Sequence, residues 1–137
     1  MPAAGSHRGP ARHVREALDE PTGQAVAEHL LRGTVAVVTR EEGPGCLLVH
    51  GALAAGEGSA AVRADTVARR AGARVALCAR LELAAEADEF APGTDPAVLA
   101  DYLTTLTHGL AVRAADGTPA EQLDRIVDFA LSTWPSA

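Results

Sequence analysis

The chain of 137 residues carries a formal net charge of −6, and 47% of its residues are hydrophobic but only 3% aromatic. This length suits a single domain with a core of Ala, Val and Leu, and the acidic charge argues against a chain that grips DNA by itself, because phosphate contacts need a basic patch. No apolar run reaches the roughly 20 residues of a membrane-spanning helix, and no apolar segment follows the N-terminal basic residues as in a secretion signal.

The first part of the chain predicts an arm followed by helices. Residues 1–11 contain Gly, Pro, Ser and His and are expected to form a flexible N-terminal arm, which leaves 12–137 as one domain. Residues 12–18 predict a short helix. Thr22 is a suitable N-cap for a helix that runs to about Thr39, and the two adjacent apolar faces of that helix indicate that it is inserted between others.

The middle of the chain contains one ambiguous segment and one long helix. The apolar run at 46–55 fits a buried strand as well as a buried helix, because periodicity alone does not separate the two. We predict a helix, since every neighbouring segment is helical and no second strand is available to pair with it. Residues 60–87 predict the longest helix, with arginines that alternate with acids on a solvated face.

Residues 95–134 predict two long helices joined by a tight turn. Asp95 supplies an N-cap acceptor and Pro96 stands at the first helical position. Asp116-Gly117 breaks the apolar pattern, and Thr118-Pro119-Ala120-Glu121 predicts a capping box with proline at the first position of the last helix. That helix is expected to end at Trp134, because the residue before a proline avoids the helical conformation.

This hairpin has more apolar surface than one chain normally buries. Phe129 widens the apolar arc of the last helix to about 200°, whereas a one-sided surface helix needs about 100°. Gly109 lies in mid-helix, where glycine costs about 1 kcal/mol relative to alanine. Such a glycine is expected where another helix must approach closely. Two interpretations stay open: a hairpin buried inside one domain, or a self-complementary dimer face. The second predicts an interface of Val98, Gly109, Val112, Leu123, Ile126, Val127, Phe129, Ala130 and Trp134.

Four segments together resemble the C-terminal regulatory domain of tetracycline-repressor (TetR) family transcription regulators. They are Gly-Pro-Gly-Cys-Leu-Leu-Val with Gly-Ala-Leu at 43–53, the Arg-rich helix at 62–83, the helix at 99–112 with its Gly-Leu pair, and the terminal helix at 117–135. The resemblance covers nearly everything from about residue 12 onward. It implies an all-α bundle of about five to six helices, in which the last two helices form a four-helix bundle with those of a partner and a cavity among the others takes a small-molecule effector.

The chain departs from this family pattern in two places. Such regulators begin with a three-helix DNA-binding domain, and the residues before Arg12 are too few to hold one. We therefore expect this chain to reach DNA only through a missing N-terminal domain, as a fragment, a frame that starts late or a natural half-protein. Asp88 stands where relatives often have a glycine that closes the long helix, and because aspartate tolerates the left-handed cap less well, that helix end is expected to differ.

The effector cavity implied by the resemblance predicts a set of lining residues. Such pockets are mostly apolar with a few polar groups that orient the ligand, and His50 and Tyr102 are the polar candidates here. An ordinary packed core is the alternative for each position. The candidates are Val37, Cys46, His50, Leu77, Leu81, Tyr102 and Leu106.

Other chemistry finds less support. Cys46 and His50 share a face if their segment is helical, and with Cys78, His29 or His108 a zinc site is conceivable, but a buried thiol beside a hydrogen-bonded histidine explains them as well. A thiol–histidine nucleophile lacks an orienting group, and the Gly-Glu-Gly at 56–58 lacks the preceding strand of a phosphate loop. We expect no enzyme, no metal and no cofactor.

The prediction is a non-catalytic, homodimeric, effector-binding regulatory domain with no membrane contact. The two cysteines follow no pairing pattern, which favours reduced thiols in the cytoplasm, and the absence of lysine and asparagine favours a GC-rich bacterial source. An alternative is a pure interaction module that heterodimerises with a full-length regulator and blocks its DNA binding. A cavity in the core would favour the first function, and a filled core the second.

Overall fold

The computed structural model describes residues 9–40 and 59–137, and these parts of the chain contain five α-helices. They are α1 (Gly9–Leu18), α2 (Gly23–Val38), α3 (Ser59–Glu86), α4 (Pro96–Ala115) and α5 (Ala120–Ser132). The described residues form no strand, only an isolated antiparallel bridge between Phe90 and Ser136. The all-α prediction is confirmed, whereas the predicted helix at 46–55 lies outside the described residues.

The helix α2 lies at the centre of the fold. It packs against α1, α4 and α5 and also touches α3, while α3 packs mainly on α4. Val26, Ala27 and Leu31 of α2 are completely buried, which agrees with the two apolar faces of this helix in the sequence. Within the described residues, no helix is long and apolar enough to cross a membrane.

The start of α2 is held by a local cap and by a distant carboxylate. The Thr22 hydroxyl accepts a hydrogen bond from the Ala25 N–H at 3.1 Å, as predicted. The Gly23 N–H donates to Glu89 Oε1 at 2.7 Å, and a carboxylate at a helix N-terminus is favourable for the free N–H groups and the helix dipole. Glu89 therefore ties the loop after α3 to the beginning of α2.

A side chain caps the start of α4, whereas none caps the start of α5. Asp95 accepts from the Ala97 N–H at 2.9 Å with proline at the first turn, as predicted. At α5 the predicted capping box is wrong, because Pro119 occupies the N-cap position and no side chain caps the helix. Thr118 lies one residue too early, and its hydroxyl instead accepts a long hydrogen bond of 3.4 Å from Arg113 Nε.

The helix α3 ends with a residue in the left-handed conformation, although aspartate at position 88 had predicted a different end. Asp88 adopts φ of 60°, the left-handed conformation. The Glu89 N–H donates to the Ala84 carbonyl at 3.1 Å and the Asp88 N–H to the Ala85 carbonyl at 3.0 Å, which is the Schellman arrangement. Aspartate thus supplies the same helix end as glycine would, at a cost of about 1 kcal/mol of backbone strain.

The C-terminus is fastened to the loop between α3 and α4. The Ala91 N–H donates to the Pro135 carbonyl at 2.9 Å, and the Ala137 N–H donates to the Glu89 carbonyl at 3.0 Å. The rings of Phe90 and Trp134 meet edge to face with centroids 6.0 Å apart, a favourable aromatic geometry. These contacts fix the end of α5 against the rest of the bundle.

Candidate functional site

The hairpin of α4 and α5 exposes large apolar side chains on its outer side. On α4, Val98 is 61% exposed, Tyr102 39% and Val112 46%. With Gly109 they lie within about 80° of one another at 100° per residue, so they share one face of the helix. We call this set of four residues the α4 face; single exposed apolar residues are common, but a face that repeats along a helix marks a contact surface.

Among the described residues nothing packs against Gly109. A Cβ built there would meet no atom within 4 Å, and its φ is not in the left-handed region. Gly23 differs, because a Cβ there would lie 3.2 Å from the Ala84 methyl and from the Phe90 ring. Gly72 on α3 is as open as Gly109, which makes it a matched reference position for experiments on Gly109.

On α5 only part of the predicted interface is accessible. Phe129 is 69% exposed, since it points about 120° away from the buried side of the helix at 100° per residue. Ile126 lies between the two sides and is half-buried. The other predicted members belong to the core of the same chain and offer almost no side-chain surface to a partner: Leu123, Val127, Ala130 and Trp134.

The burial of these four residues bears on the two interpretations of the hairpin. The sequence left open whether this stripe meets a partner or its own chain. In the single chain it is buried, where α5 packs against α2 and the Trp134 ring meets Phe90. A second helix face inside the same chain was therefore sufficient to cover it. A partner contact remains a proposal for the α4 face with Phe129 and the rim residue Ile126.

The candidate ligand-lining residues do not form one group. Leu77 and Leu81 are buried in the main core cluster, Leu106 is partly buried against it, and Val37 is buried as well. Tyr102 instead belongs to the exposed α4 face. Cys46 and His50 lie outside the described residues. The effector-binding assignment of this set therefore stays a prediction.

The candidate zinc ligands lie in different surroundings. The His29 Nδ1 is 2.7 Å from Glu20 Oε2 and its Nε2 is 3.6 Å from Glu16 Oε1, whereas Cys78 contacts Glu82. Burial, then the charge of Arg70, lowers the pKa of His108. In the described part of the chain no three His, Cys, Asp or Glu residues come close enough to hold a metal ion.

Cys78 does not have the surroundings of a reactive thiolate. Burial raises the pKa of its thiol, and the negative charge of Glu82 raises it further. Reactive cysteines have a lowered pKa. Nearby, the Arg74 Nε donates to Asp101 Oδ1, and this hydrogen bond lowers the pKa of the Asp101 carboxyl. The Arg74–Asp101 pair ties α3 to α4 at their exposed edge.

The outer side of α2 carries a charged cluster and an open groove. Arg32 reaches Asp124 at 3.2 Å and Asp128 at 2.7 Å on α5, and Glu28 at 3.3 Å on its own helix. These bonds raise the pKa of Arg32, the bond to Asp128 contributing most. The groove beside it is lined by Glu20, Ala25, Glu28, His29, Arg32 and Gly33 and is open to solvent.

The family model and the solved structures that match this chain all belong to the TetR family. Residues 24–129 match the model of the tetracyclin repressor-like, C-terminal domain. A cysteine mutant of the TetR family transcriptional regulator CifR, solved with 26-base-pair double-strand operator DNA, is 37% identical with a TM-score of 0.79, over 96% of this chain and 68% of that chain. A putative TetR transcriptional regulator from Rhodococcus sp. RHA1 is 30% identical with a TM-score of 0.77, over 92% of this chain and 68% of that chain. A search of curated proteins finds no match.

Proposed function

Because the chain belongs to the family of tetracyclin repressor-like C-terminal domains, we propose that it is the dimerisation and effector-binding domain of a TetR-like transcription regulator. Its relatives are transcriptional regulators and not enzymes. The observation that carries the dimerisation part is the exposed α4 face with an open glycine at its centre. The effector-binding part rests on the family, in which binding of small molecules is typical.

The α4 face suits a second copy of this chain. Val98, Tyr102 and Val112 offer apolar area in a line, and the missing side chain of Gly109 lets a facing helix approach between them. A glycine in an exposed mid-helix position costs about 1 kcal/mol relative to alanine, and none of the residues that the structure describes fills the space beside Gly109. Close packing of a partner helix would use it, as at other tight helix crossings.

DNA enters this proposal only indirectly. The structure of CifR holds operator DNA, whereas this chain has a net charge of −6, which disfavours phosphate contacts. The family model begins at residue 24, so α2 lies inside the matched regulatory region. We propose that this chain acts on DNA through a separate N-terminal domain and that the purified chain alone does not shift duplex DNA at physiological salt.

The proposed effector is a small, mostly apolar molecule held among α2, α3 and α4. Support comes from the composition of the core, which has few aromatic side chains and many alanines. Helices with such small side chains either pack closely together or leave a cavity between them. A dry apolar cavity binds apolar molecules. Melting-temperature shifts across a compound library test this, because a ligand that binds only the folded state raises its stability. A blank screen together with an intact dimer would favour the pure interaction module instead.

Two glycine variants test the dimer. Gly109→Leu and Gly72→Leu each place a good helix former at an open glycine, so both should fold at least as stably as the wild type. Sedimentation equilibrium should show a dimer for the wild type and Gly72→Leu, and at least tenfold weaker association for Gly109→Leu, whose side chain occupies the crossing. A wild-type chain that is monomeric at micromolar concentration, or a Gly109→Leu chain that pairs as well as Gly72→Leu, would refute the proposed face.

A further inference from the structure

His13 of α1 lies in the contact with α2, directly over Gly33. Its ring covers Gly33 so tightly that a Cβ built at Gly33 would lie 2.8 Å from the His13 Cβ and 2.9 Å from its ring atoms. The His13 Nε2 is 3.1 Å from Thr34 Oγ1. Its Nδ1 is buried and has no hydrogen-bond partner among the described residues. One imidazole thus joins a helix to its neighbour with one nitrogen bonded and the other enclosed.

The hydrogen bonds of Thr34 fix the tautomer of this ring. The Thr34 hydroxyl donates its only proton to the Leu30 carbonyl oxygen at 2.8 Å. Its oxygen must therefore accept from His13, which requires the proton on Nε2. The Nδ1 then carries a lone pair, and this is the atom that takes up a proton when the ring becomes charged.

A proton on Nδ1 would be unfavourable in this position. The new N–H would find no acceptor among the described residues, and a buried donor without a partner destabilises the packing around it. Burial of the ring lowers the pKa of His13, and the positive charges of His29 and then Arg40 act in the same direction. Glu16, on the same face of α1, opposes them and raises it. The docked helix therefore favours the neutral ring.

The remaining charged groups at this contact do not replace the missing acceptor. His29 of α2 bonds Glu20 and lies near Glu16, so its protonation would strengthen the attachment of α1 rather than weaken it. Arg80 of α3, which also packs near α1, donates to the Glu20 carbonyl oxygen at 2.8 Å. A proton on His13 weakens the contact between α1 and α2, whereas a proton on His29 strengthens it. The net effect of acid is the sum of these two opposing effects, so variants must separate them.

We propose that His13 is a pH-sensitive latch, which holds α1 against α2 while its imidazole is neutral and releases α1 when Nδ1 is protonated. The sign follows from linkage. An undocked His13 has an ordinary pKa of 6.5, and the docked one has a lower pKa, so the released helix binds more protons below that pH. The contribution of the neutral ring to docking is fully present well above pH 6.5 and is lost as the pH falls from there towards the lower pKa of the docked ring, by at most tenfold per pH unit for one proton.

The inference is independent of the dimer and of the effector, and the full chain tests it. Long-range imidazole ¹H–¹⁵N spectra should show His13 as the Nε2–H tautomer with a pKa below that of a free histidine. Amide exchange, corrected for intrinsic rates, should show that protection of α1 at Val14 to Leu18 falls between pH 7.5 and 5.5 while protection at Leu31 in α2 does not.

Two glutamine variants assign the effect. His13→Gln keeps a neutral donor for Thr34 at every pH and leaves His29, whose protonation favours docking, so protection of α1 should no longer fall in acid. His29→Gln removes the opposing histidine together with a positive charge that lowers the His13 pKa, so the loss of protection in acid should persist. The proposal is overturned if His13→Gln responds to acid as the wild type does. It is equally overturned if the wild-type ring is the Nδ1–H tautomer or titrates at or above the ordinary histidine pKa, and these two readouts need no variant to fold.

Discussion

The exposed ring of Phe129 gives the sharpest quantitative test of the proposed dimer. In the single chain this side chain is 69% exposed, and it points away from the buried side of α5. Replacing it with alanine removes apolar surface that the monomer does not use. Phe129→Ala should therefore leave the unfolding free energy of the monomer almost unchanged, because surface substitutions away from packed features usually cost less than about 0.5 kcal/mol.

The expected loss of association is large because each change occurs twice in a symmetric dimer. Complete burial of a phenylalanine side chain contributes up to about 3 kcal/mol, and the 69% that is exposed in the monomer corresponds to about 2 kcal/mol per copy. Two copies give about 4 kcal/mol, which is a dissociation constant about a thousandfold weaker.

Sedimentation equilibrium over a range of concentrations measures this constant, and Leu83→Ala is the matched control. Leu83 lies on α3 and is 59% exposed, but it is not part of the proposed interface. The Leu83→Ala chain should dimerise like the wild type. Equal association of Phe129→Ala and the wild type would show that the α5 side of the interface is wrongly placed, and equal weakening in Leu83→Ala would show a nonspecific effect.

Three further changes test the packing that supports these sites. Gly33→Ala forces a methyl group to within 2.9 Å of the His13 ring, so α1 should undock and trypsin should cut at Arg15 at least several times faster than in Gly72→Ala. Leu81→Ala opens a cavity at a side chain that is 0% exposed and should cost about 2–5 kcal/mol in urea unfolding. Gly117→Ala places a side chain at φ of 95° and should lower stability by about 1 kcal/mol or more without changing association.

Helix positions were predictable where the signal is local. The boundaries of α2 and α4 follow from Thr22 and Asp95, which cap the first N–H groups of their own helices. The start of α5 was predicted one residue too early, because proline suits both the N-cap and the first helical position. The capping box would have required the Thr118 hydroxyl to accept from an N–H group of α5. That hydroxyl accepts from Arg113, five residues earlier at the end of the preceding helix, a contact that the capping-box pattern does not include.

The candidate site was only partly predictable, for the same reason. Amphipathic spacing indicated a second apolar side on α5, and Phe129 is indeed exposed, although its contact with a partner stays a prediction. The same spacing could not tell whether Leu123 and Val127 meet another copy or α2 of their own chain. The latch at His13 was missed completely, because its evidence is the meeting of two helices. Gly33 in mid-helix was the one visible signal of a close approach.

One short stretch of α2 contacts both α1 and α5 through different interactions. His29, Gly33 and Thr34 hold α1, while Arg32 reaches Asp124 and Asp128 on α5. Exposed ion pairs of this kind contribute about 0–1 kcal/mol and are screened by salt, so the position of α5 depends mainly on its buried side. Spatial continuity alone does not establish coupling between sites. Because His13 touches α2 at Gly33 and Thr34 and α5 depends on its own buried side, we expect a proton on His13 to weaken the α1 contact and to leave association through the proposed dimer face unchanged.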